Sequence, residues 1–225
     1  SMPGKEVLLL ALGAPEWKGK EISGLAQIPG SPYGKILEIP ESTILGEGSN
    51  YSIYSSGHRN PQSILNDDGR ILALDHGPRG GDEINLIKEG GNYGWPKVSL
   101  GSDYDFQYIN KTGDTGNIDT DDLTDPLFSF IPAIAPSMIS RCPHNYEEYY
   151  LPNRCILIGS LKARSLFFVH IDDRYSRVLA VEEYELGSRI RKVIVDGDDI
   201  IVGTDYENDD SYTGISFLKL RQITK

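Results

Sequence analysis

The stretch Asp68-Gly69-Arg70-Ile71-Leu72-Ala73-Leu74 joins a turn to a short apolar strand, and this pattern is decisive for the fold class. It is echoed later in the chain by Asp196-Gly197-Asp198-Asp199-Ile200-Ile201-Val202-Gly203. In both places a turn leads into an apolar run that we expect to form a buried strand, and a second apolar strand follows. A repeat of roughly 40–50 residues that holds four strands is typical of a propeller blade.

Short apolar runs recur outward from this stretch, with turn residues between them. Each run is rich in Val, Ile, Leu, Phe or Tyr and has about the length of a typical strand. The spacing of an amphipathic helix is almost absent. The predicted strands are Val7–Leu12, Lys35–Ile39, Tyr51–Tyr54, Arg70–Leu74, Glu83–Ile87, Cys155–Gly159, Leu166–Ile171, Val178–Tyr184, Ile190–Val195, Ile200–Thr204 and Ile215–Leu220. The sequence therefore predicts an all-β chain, a β-propeller of four-stranded antiparallel blades with about four blades' worth of strands.

The 225 residues are enough for one sizeable core, so we expect residues 1–225 to form a single, partial or shortened propeller domain. Residues 103–125 are acidic and poor in apolar periodicity, which predicts a loop insertion. A net charge of −11 argues against a nucleic-acid surface. No apolar run approaches the ~20 residues of a membrane span. No signal peptide is visible, and Ser1-Met2 is typical of a cloning remnant, so the N-terminus does not reveal the compartment.

The two cysteines, Cys142 and Cys155, bracket an interval that could bring them together as neighbours in a hairpin. A disulfide would suit a periplasmic or extracellular setting. Two unpaired thiols are the alternative, and the sequence does not choose between them. No Cys-x-x-Cys or paired His accompanies them, so they do not form a metal motif.

Two polar blocks flank the opening stretch, Gly57-His58-Arg59-Asn60-Pro61-Gln62 and Gly77-Pro78-Arg79-Gly80-Gly81-Asp82-Glu83-Ile84-Asn85-Leu86-Ile87. Their turn formers and amides are typical of a loop that holds a polar ligand on a rigid scaffold. A backbone bent by Gly-Pro and Gly-Gly can aim carbonyl oxygens at a hard cation. Arg59 and Asn60 offer donors that suit a carboxylate-bearing ligand.

The same blocks are followed, in order, by further matching runs at Gly90–Pro96, Ile134–Ser137, Ser160–Lys162 and Arg189–Arg191. Together these motifs resemble the signature of the soluble quinoprotein glucose/sorbosone dehydrogenase family, from about Val7 to Leu220. The resemblance implies a six-bladed β-propeller that binds pyrroloquinoline quinone (PQQ) and Ca²⁺. It also implies oxidation of a sugar or small alcohol by hydride transfer, an external electron acceptor, and a periplasmic or secreted location.

The resemblance also implies which residues hold the cofactor. Arg59, Asn60, Lys162, Arg189 and Arg191 match the residues that contact the carboxylates of PQQ. Alternate residues of a strand share a face, so Arg189 and Arg191 can reach one ligand together. The alternative is that these cations are surface charges paired with the many acids of the chain.

Two calcium sites are implied by the resemblance. The carbonyl oxygens of Gly77 and Pro78 would bind the ion that contacts the quinone. A second, structural cluster is made of Asp82, Glu83, the backbone of Tyr93, and Asp103. A solvated acidic turn is the alternative for this second cluster.

The chain departs from the family pattern in several places. The N-terminal portion that carries the family's catalytic His has no counterpart here, and no residue is identified as the catalytic base. The family's acid after an early strand is replaced by Ala14. Ile131 and Ala133 stand where an aromatic and a hydroxyl are common, and Lys192 follows the paired arginines in place of an acid.

Three functional hypotheses follow. The first is a quinoprotein sugar dehydrogenase, of which the chain holds the cofactor half. The second is a non-catalytic, degenerate propeller that acts as a binding or scaffold module. The third is that the chain is a fragment of a longer active enzyme. From the missing base we expect this chain alone to bind PQQ weakly or not at all and to oxidise glucose negligibly.

Overall fold

The computed structural model describes residues 7–15, 23–102, 122–144, 146, 154–208 and 211–221, with backbone alone at 23, 206–208 and 211–221. The strands are β1 Val7–Leu12, β2 Lys35–Pro40, β3 Ser52–Ser56, β4 Pro61–Asp67, β5 Arg70–Asp75, β6 Asp82–Ile87, β7 Phe128–Phe130, β8 Pro136–Arg141, β9 Arg154–Ser160, β10 Ser165–Ile171, β11 Val178–Glu185, β12 Ile190–Asp196, β13 Asp199–Asn208 and β14 Ser211–Arg221. The described helical elements are a 3-10 turn, Ser23–Gln27, and α1, Glu41–Ile44, and residues 144 and 146 are also helical. Asp103 and most of the predicted acidic insertion, residues 103–121, lie outside the described residues.

The strands of the described residues form four sheets, and every pairing is antiparallel. Neighbouring strands in a sheet are also neighbours in sequence, so each sheet is a meander. Two sheets have the predicted four strands, β4–β7 and β8–β11, and two have three, β1–β3 and β12–β14. The chain divides into two compact units, Ser1–Ala133 and Ile134–Lys225. A single propeller domain over residues 1–225 stays a prediction.

The first unit holds the sheets β1–β3 and β4–β7. Its core is built from alternating inward residues of these sheets, because successive side chains of a strand face opposite sides. The core residues are Ile36, Tyr54, Ile71, Ala73, Ile87 and Tyr93, with Leu9, Ala11 and Ile64 packed against them. The polar loops that leave β3 and β5 therefore start from a rigid apolar base.

The second unit holds the sheets β8–β11 and β12–β14. Its core residues are Cys142, Tyr146, Cys155, Leu157, Leu166, Phe168, Ile190, Val193, Ile200 and Val202. Ser137 joins the two sheets, since its Oγ donates to the Ile190 carbonyl oxygen at 2.6 Å and lies 3.0 Å from the Gly159 carbonyl oxygen. This bond places the start of β12, and with it the paired arginines.

Three strands were not predicted. β4 begins at Pro61, inside a block that we interpreted as a loop, β8 begins at Pro136, and β7 has only three residues. Proline is tolerated at the first residue of a strand, where its missing N–H costs little. The interpretation of Gly57–Gln62 as wholly loop was therefore wrong at its end.

The two echoed turns are both two-residue hairpin connections, but their registers differ. In the first, Asp67 pairs with Arg70, and the central residues Asp68 and Gly69 have φ of 51° and 86°. In the second, Asp196 pairs with Asp199, so Gly197 becomes the first central residue, with φ of 59°. Positive φ at these positions is what hairpin turns demand.

Cys142 and Cys155 form a disulfide, with their Cα atoms 5.4 Å apart. Of the two alternatives left open by the sequence, the structure has the bonded one. The bond ties the end of β8 to the start of β9, beside a backbone bond from Cys142 N to Cys155 O. Within the described residues, no helix is long and apolar enough to cross a membrane.

Candidate cofactor site

The side chain of Arg59 connects the two polar blocks of the first unit. It is 7% exposed, and its Nη1 donates to the carbonyl oxygens of His76 and Gly77, both at 3.0 Å. A guanidinium is a rigid fork of donors, so it can hold two neighbouring carbonyls at once. Arg59 therefore fixes the Gly77 carbonyl oxygen, which is predicted to bind calcium.

The backbone at Arg59 and Asn60 is held by a buried carboxylate. Asp75, the last residue of β5, accepts from Arg59 N at 3.0 Å and from Asn60 N at 2.6 Å. The Asn60 amide side chain lies 3.5 Å from His76 Nδ1 and accepts from Gln62 Nε2 at 2.9 Å. Asp75 thus fixes the backbone from which the Arg59 and Asn60 side chains project. The sequence analysis did not identify Asp75 as a site residue.

A buried Ser-His-Asp arrangement lies behind this loop. Ser55 Oγ is 2.8 Å from His58 Nε2, and His58 Nδ1 is 3.4 Å from Asp75 Oδ2. The side chains have the order of a hydrolytic triad, but Ser55 and His58 are 1% and 0% exposed. A nucleophile must meet its substrate, so this network is structural.

Trp95 forms a wall of the site. The Arg59 Cζ lies 5.3 Å from the centroid of its ring, within the range of a cation–π contact. The Trp95 Nε1 is buried and has no hydrogen-bond partner among the described residues. A bound ligand with an acceptor group would satisfy that donor, so the site fits a polar ligand.

A shallow, open pocket adjoins these groups. Its lining residues are Gly57, Arg59, Asp75, His76, Gly77, Gly81, Glu83, Tyr93, Trp95, Val98 and Ser99. The pocket combines an aromatic wall, a guanidinium, carboxylates and a main-chain loop. Such convergent polar groups beside an apolar wall are typical of a small-molecule site.

The loop after β5 is held tightly from below. Gly77 N donates to Asp82 Oδ1 at 2.9 Å, and Gly81 N donates to Phe130 O at 2.9 Å. A Cβ atom at Gly77 would overlap the carbonyl of Gly80, so only glycine permits this approach. Asp82 therefore holds the loop whose carbonyl oxygens, at Gly77 and Pro78, are predicted to bind calcium. Pro78 is half-buried on this loop.

Glu83 carries the strongest electrostatic signal of the site. It lies opposite Asp75 across β5 and β6 and receives a bond from Asn85 Nδ2 at 3.1 Å. Burial, and then the neighbouring charges of Asp75 and Asp82, raise the pKa of Glu83 to about 8, against the bond from Asn85. The Asn85 Oδ1 is buried without a hydrogen-bond partner among the described residues. The carboxyl oxygens of Glu83 and the Asn85 Oδ1 are the oxygen type that a hard cation prefers.

Of the residues predicted for the second calcium cluster, the structure describes Asp82, Glu83 and Tyr93. Asp82 and Glu83 are adjacent in β6, so their side chains leave opposite faces of the strand. Tyr93 N donates to Ser56 O, and the Tyr93 hydroxyl donates to Leu86 O at 2.6 Å. No group of three or more His, Cys, Asp or Glu in the described part of the chain could hold a metal.

In the second unit, Lys162 lies in the turn between β9 and β10 with an exposed side chain. Its backbone N donates to Ile134 O at 3.0 Å. That bond joins the Ser-Leu-Lys motif to the Ile-Ala-Pro-Ser motif. The two matching runs are therefore neighbours in space.

Arg189 and Arg191 share one partner, Asp205. The Arg189 Nε donates to Asp205 Oδ2 at 3.1 Å, and the Arg191 Nε donates to Oδ1 at 2.8 Å. Ile190 between them is fully buried, as the alternation of a strand requires. The bond from Arg191, and then that from Arg189, hold the pKa of Asp205 below its usual range, against the effect of burial.

The family departures at Ala14, Ile131, Ala133 and Lys192 all lie in the described part of the chain. Ala14 is buried in an apolar cluster with Ala26 and Trp95. Ile131 is 68% exposed. The apolar cluster at Ala14 therefore lies directly beside the wall of the pocket.

The sequence matches the family model described as glucose / sorbosone dehydrogenase over residues 4–213. The chain belongs to this family. It is 30% identical over 205 residues to the aldose sugar dehydrogenase YliI of Escherichia coli (strain K12), a match that covers 84% of this chain and 51% of that protein. It is 41% identical over 85 residues to quinoprotein glucose dehydrogenase B of Acinetobacter calcoaceticus, which covers 34% of this chain and 18% of that protein.

Solved structures of the family share the fold. The soluble aldose sugar dehydrogenase from Escherichia coli, in its apo-form, matches with a TM-score of 0.73 at 25% identity, over 99% of this chain and 63% of that chain. The structural neighbours are β-propeller sugar dehydrogenases, so the predicted all-β propeller class is confirmed. The chain spans about half the length of the curated relatives it matches over most of its own length, 48% and 51% of their residues.

Proposed function

We propose that this chain supplies the cofactor-binding part of a quinoprotein sugar dehydrogenase. The observation that carries the proposal is the position of Arg59, whose guanidinium lies against Trp95 and holds the Gly77 carbonyl at the pocket. The family membership supports a sugar as the substrate class. The proposed substrate is a sugar or small alcohol, and an external acceptor would take the electrons.

The site fits an anionic, planar cofactor. Arg59 and Asn60 offer a guanidinium and an amide, and Trp95 offers an aromatic wall with a buried donor. These residues would hold carboxylates of PQQ, which bidentate donors recognise best. We assign the same role, binding of a PQQ carboxylate, to three cations of the second unit. They are Lys162 and the two arginines that share Asp205, Arg189 and Arg191.

The calcium assignment rests on oxygen chemistry. Ca²⁺ prefers carbonyl and carboxylate oxygens, and the carbonyls of Gly77 and Pro78 lie on the loop that Arg59 and Asp82 fix. One lone pair of the Gly77 oxygen accepts from Arg59, which leaves the second for an ion. Asp82, Glu83, the backbone of Tyr93 and Asp103 keep the assignment of a structural calcium cluster as a proposal.

When bound, PQQ with Ca²⁺ would supply the acceptor for the hydride that leaves a hydroxyl-bearing carbon as that carbon becomes a carbonyl. The chain's own residues bind and orient. Arg59 and Asp75 set the geometry of the loop, Trp95 excludes water from one side, and the lysine and arginines compensate negative charge. His58 is enclosed by Ser55, Asp75 and Tyr93, so it does not reach a substrate hydroxyl.

The alternative function is a non-catalytic binding or scaffold module. The apolar cluster of Ala14, Ala26 and Trp95 favours it, since the family acid at that position would polarise the pocket wall. The exposed Ile131 favours it as well. This alternative predicts that the cofactor binds without turnover even when the upstream portion of a relative is fused to the chain.

A periplasmic or secreted location is the proposed compartment. The Cys142–Cys155 disulfide supports it, because such bonds persist in oxidising compartments.

The test is reconstitution of the purified chain with PQQ and CaCl₂, followed by dye reduction with several aldoses. We expect negligible turnover from the chain alone, since a general base is worth about 10²–10⁴ in rate. Turnover should appear when the upstream portion of a relative, with its catalytic His, is fused to the chain. Robust turnover of the chain alone, abolished by Arg59→Ala, would show that it carries a complete site. No turnover in either form, with PQQ still bound, would favour the binding module.

A further inference from the structure

Gln27 makes a reciprocal amide pair with Asn92. Its Nε2 donates to Asn92 Oδ1 at 3.0 Å, and Asn92 Nδ2 donates back to Gln27 Oε1 at 2.9 Å. The two residues are 65 apart in sequence. A pair of amides bonded in both directions has one relative orientation, so it acts as a rigid brace between the 3-10 turn and the Gly-Asn-Tyr-Gly-Trp loop.

The same Gln27 side chain also holds Trp95. Its Nε2 donates to the Trp95 carbonyl at 2.6 Å, while Trp95 N donates to Gly57 O at 2.9 Å. Gly57 allows the Asn92 side chain to pack directly against the backbone, since a Cβ atom at position 57 would overlap Asn92 Oδ1. The backbone of Trp95 is thus fixed at both ends, one end to the motif that carries Arg59 and the other to Gln27.

A buried lysine anchors the turn on which Gln27 lies. The Lys35 Nζ donates to the carbonyl oxygens of Leu25 at 2.9 Å, Ala26 at 2.7 Å and Tyr33 at 3.3 Å. Its side chain is 1% exposed. Three carbonyls use all three donors of the ammonium group, so the cation serves the backbone and has none left for a ligand.

We propose that Gln27 is a positioning residue of the cofactor site, which fixes the Trp95 indole against which the Arg59 guanidinium lies. The inference rests on the proposed function, in which Arg59 meets a carboxylate of PQQ. Gln27 acts through Trp95 and is not among the residues that line the pocket. Its loss should loosen the indole and, through it, the guanidinium.

The first experiment needs no cofactor. The sequence has two tryptophans, so Trp17→Phe leaves Trp95 as the single fluorescent reporter. In that background, Gln27→Ala should shift the emission of Trp95 to longer wavelength and increase its quenching by acrylamide. Gln27→Glu, which loses the amide donor but keeps the length of the side chain, should shift it in the same direction. Thr43→Ala, which removes an exposed bond to Asn50 O, is the matched control and should change neither.

The second experiment is a double-mutant cycle with PQQ and CaCl₂ as the probe. Gln27→Ala should weaken PQQ binding about five- to tenfold when Arg59 is present, the worth of one hydrogen bond. In an Arg59→Ala background the same change should weaken it less than about twofold, because the residues are coupled. Circular dichroism and the melting temperature establish that each variant is folded, and Gln27→Glu replaces Gln27→Ala if the latter is not.

The outcomes separate the inference from the function on which it rests. Unchanged Trp95 emission in both Gln27 variants, or an equal loss of affinity in both Arg59 backgrounds, would overturn the positioning role while the proposed function stands. No PQQ binding by the parent chain would count against the proposed function, and the fluorescence result would still decide whether Gln27 positions Trp95.

Discussion

Arg59 Nη1 and the Gly77 carbonyl oxygen are joined by a 3.0 Å hydrogen bond, which links the two polar blocks of the chain. The residue implied to hold the cofactor therefore also holds the backbone implied to bind calcium. The same Nη1 reaches His76 O, so the guanidinium fixes two consecutive peptide groups. A change at Arg59 should accordingly affect the loop as well as any ligand.

Arg59→Ala should lower the free energy of unfolding by about 1–3 kcal/mol, because it leaves two carbonyl oxygens without their charged donor. Arg59→Lys should recover only part of this loss, since an ammonium lacks the planar fork. Urea unfolding followed by circular dichroism measures both. Arg70→Ala, at an exposed position of β5, is the control and should stay within about 0.5 kcal/mol of the wild type. Equal effects at the two arginines would contradict the role of Arg59.

Calcium should raise the melting temperature, and a chelator should remove the rise, because an ion bound by the folded state stabilises it. Glu83→Gln should shrink the calcium effect, whereas Glu89→Gln, in an exposed turn, should not. Asp82→Asn keeps an oxygen for Gly77 N, so it separates loss of charge from loss of the loop bond. Identical melting curves with calcium and with chelator would rule out the proposed calcium sites.

The calcium effect should also depend on pH. The pKa of Glu83 is raised to about 8, so near neutral pH its carboxyl is largely protonated without a cation. An ion that binds the carboxylate must displace this proton, so calcium affinity should rise with pH up to about 8 and then level. Calorimetric titration at several pH values measures the slope. In Glu83→Gln the slope should disappear; a slope that persists there belongs to another group.

Asp205→Asn should reduce stability most at neutral pH. The folded-state pKa of Asp205 lies below its ordinary value of 3.8, so its contribution is present above that value and lost as pH falls through the folded pKa. The difference between the wild type and Asp205→Asn should therefore shrink in acid. Asp198→Asn, in an exposed turn, is the control. A difference that does not change between neutral pH and acid would contradict the two ion pairs.

Much of the fold could be predicted because its strands are short apolar runs between turns. β1 was predicted at its observed bounds, and β10 within one residue. β4 was missed because it starts at Pro61 and then carries polar residues, so it has little apolar signal. β8, which starts at Pro136, was missed for the same reason.

The site was predictable where its residues stand in motifs, and not where they act across the fold. Asp75 and Asp205 are ordinary acids in sequence, and each becomes informative only through a partner 16 residues away. Gln27 reaches Asn92 and Trp95 across more than 60 residues, and no local pattern records that contact. One signal for Asp75 was available, because it pairs with Glu83 across β5 and β6. Like charges directly opposite each other destabilise a strand pair, so such a pair indicates a functional role.

The most direct test is to measure the binding of PQQ to the chain by equilibrium dialysis in the presence of calcium. The account predicts weak, saturable binding that depends on calcium, because the chain holds the cofactor part of the site. Arg59→Ala should weaken it about tenfold or more, as expected for a lost charge-assisted contact, while Arg70→Ala leaves it unchanged. No saturable binding, or an affinity that is the same for the wild type and Arg59→Ala, would contradict the central claim.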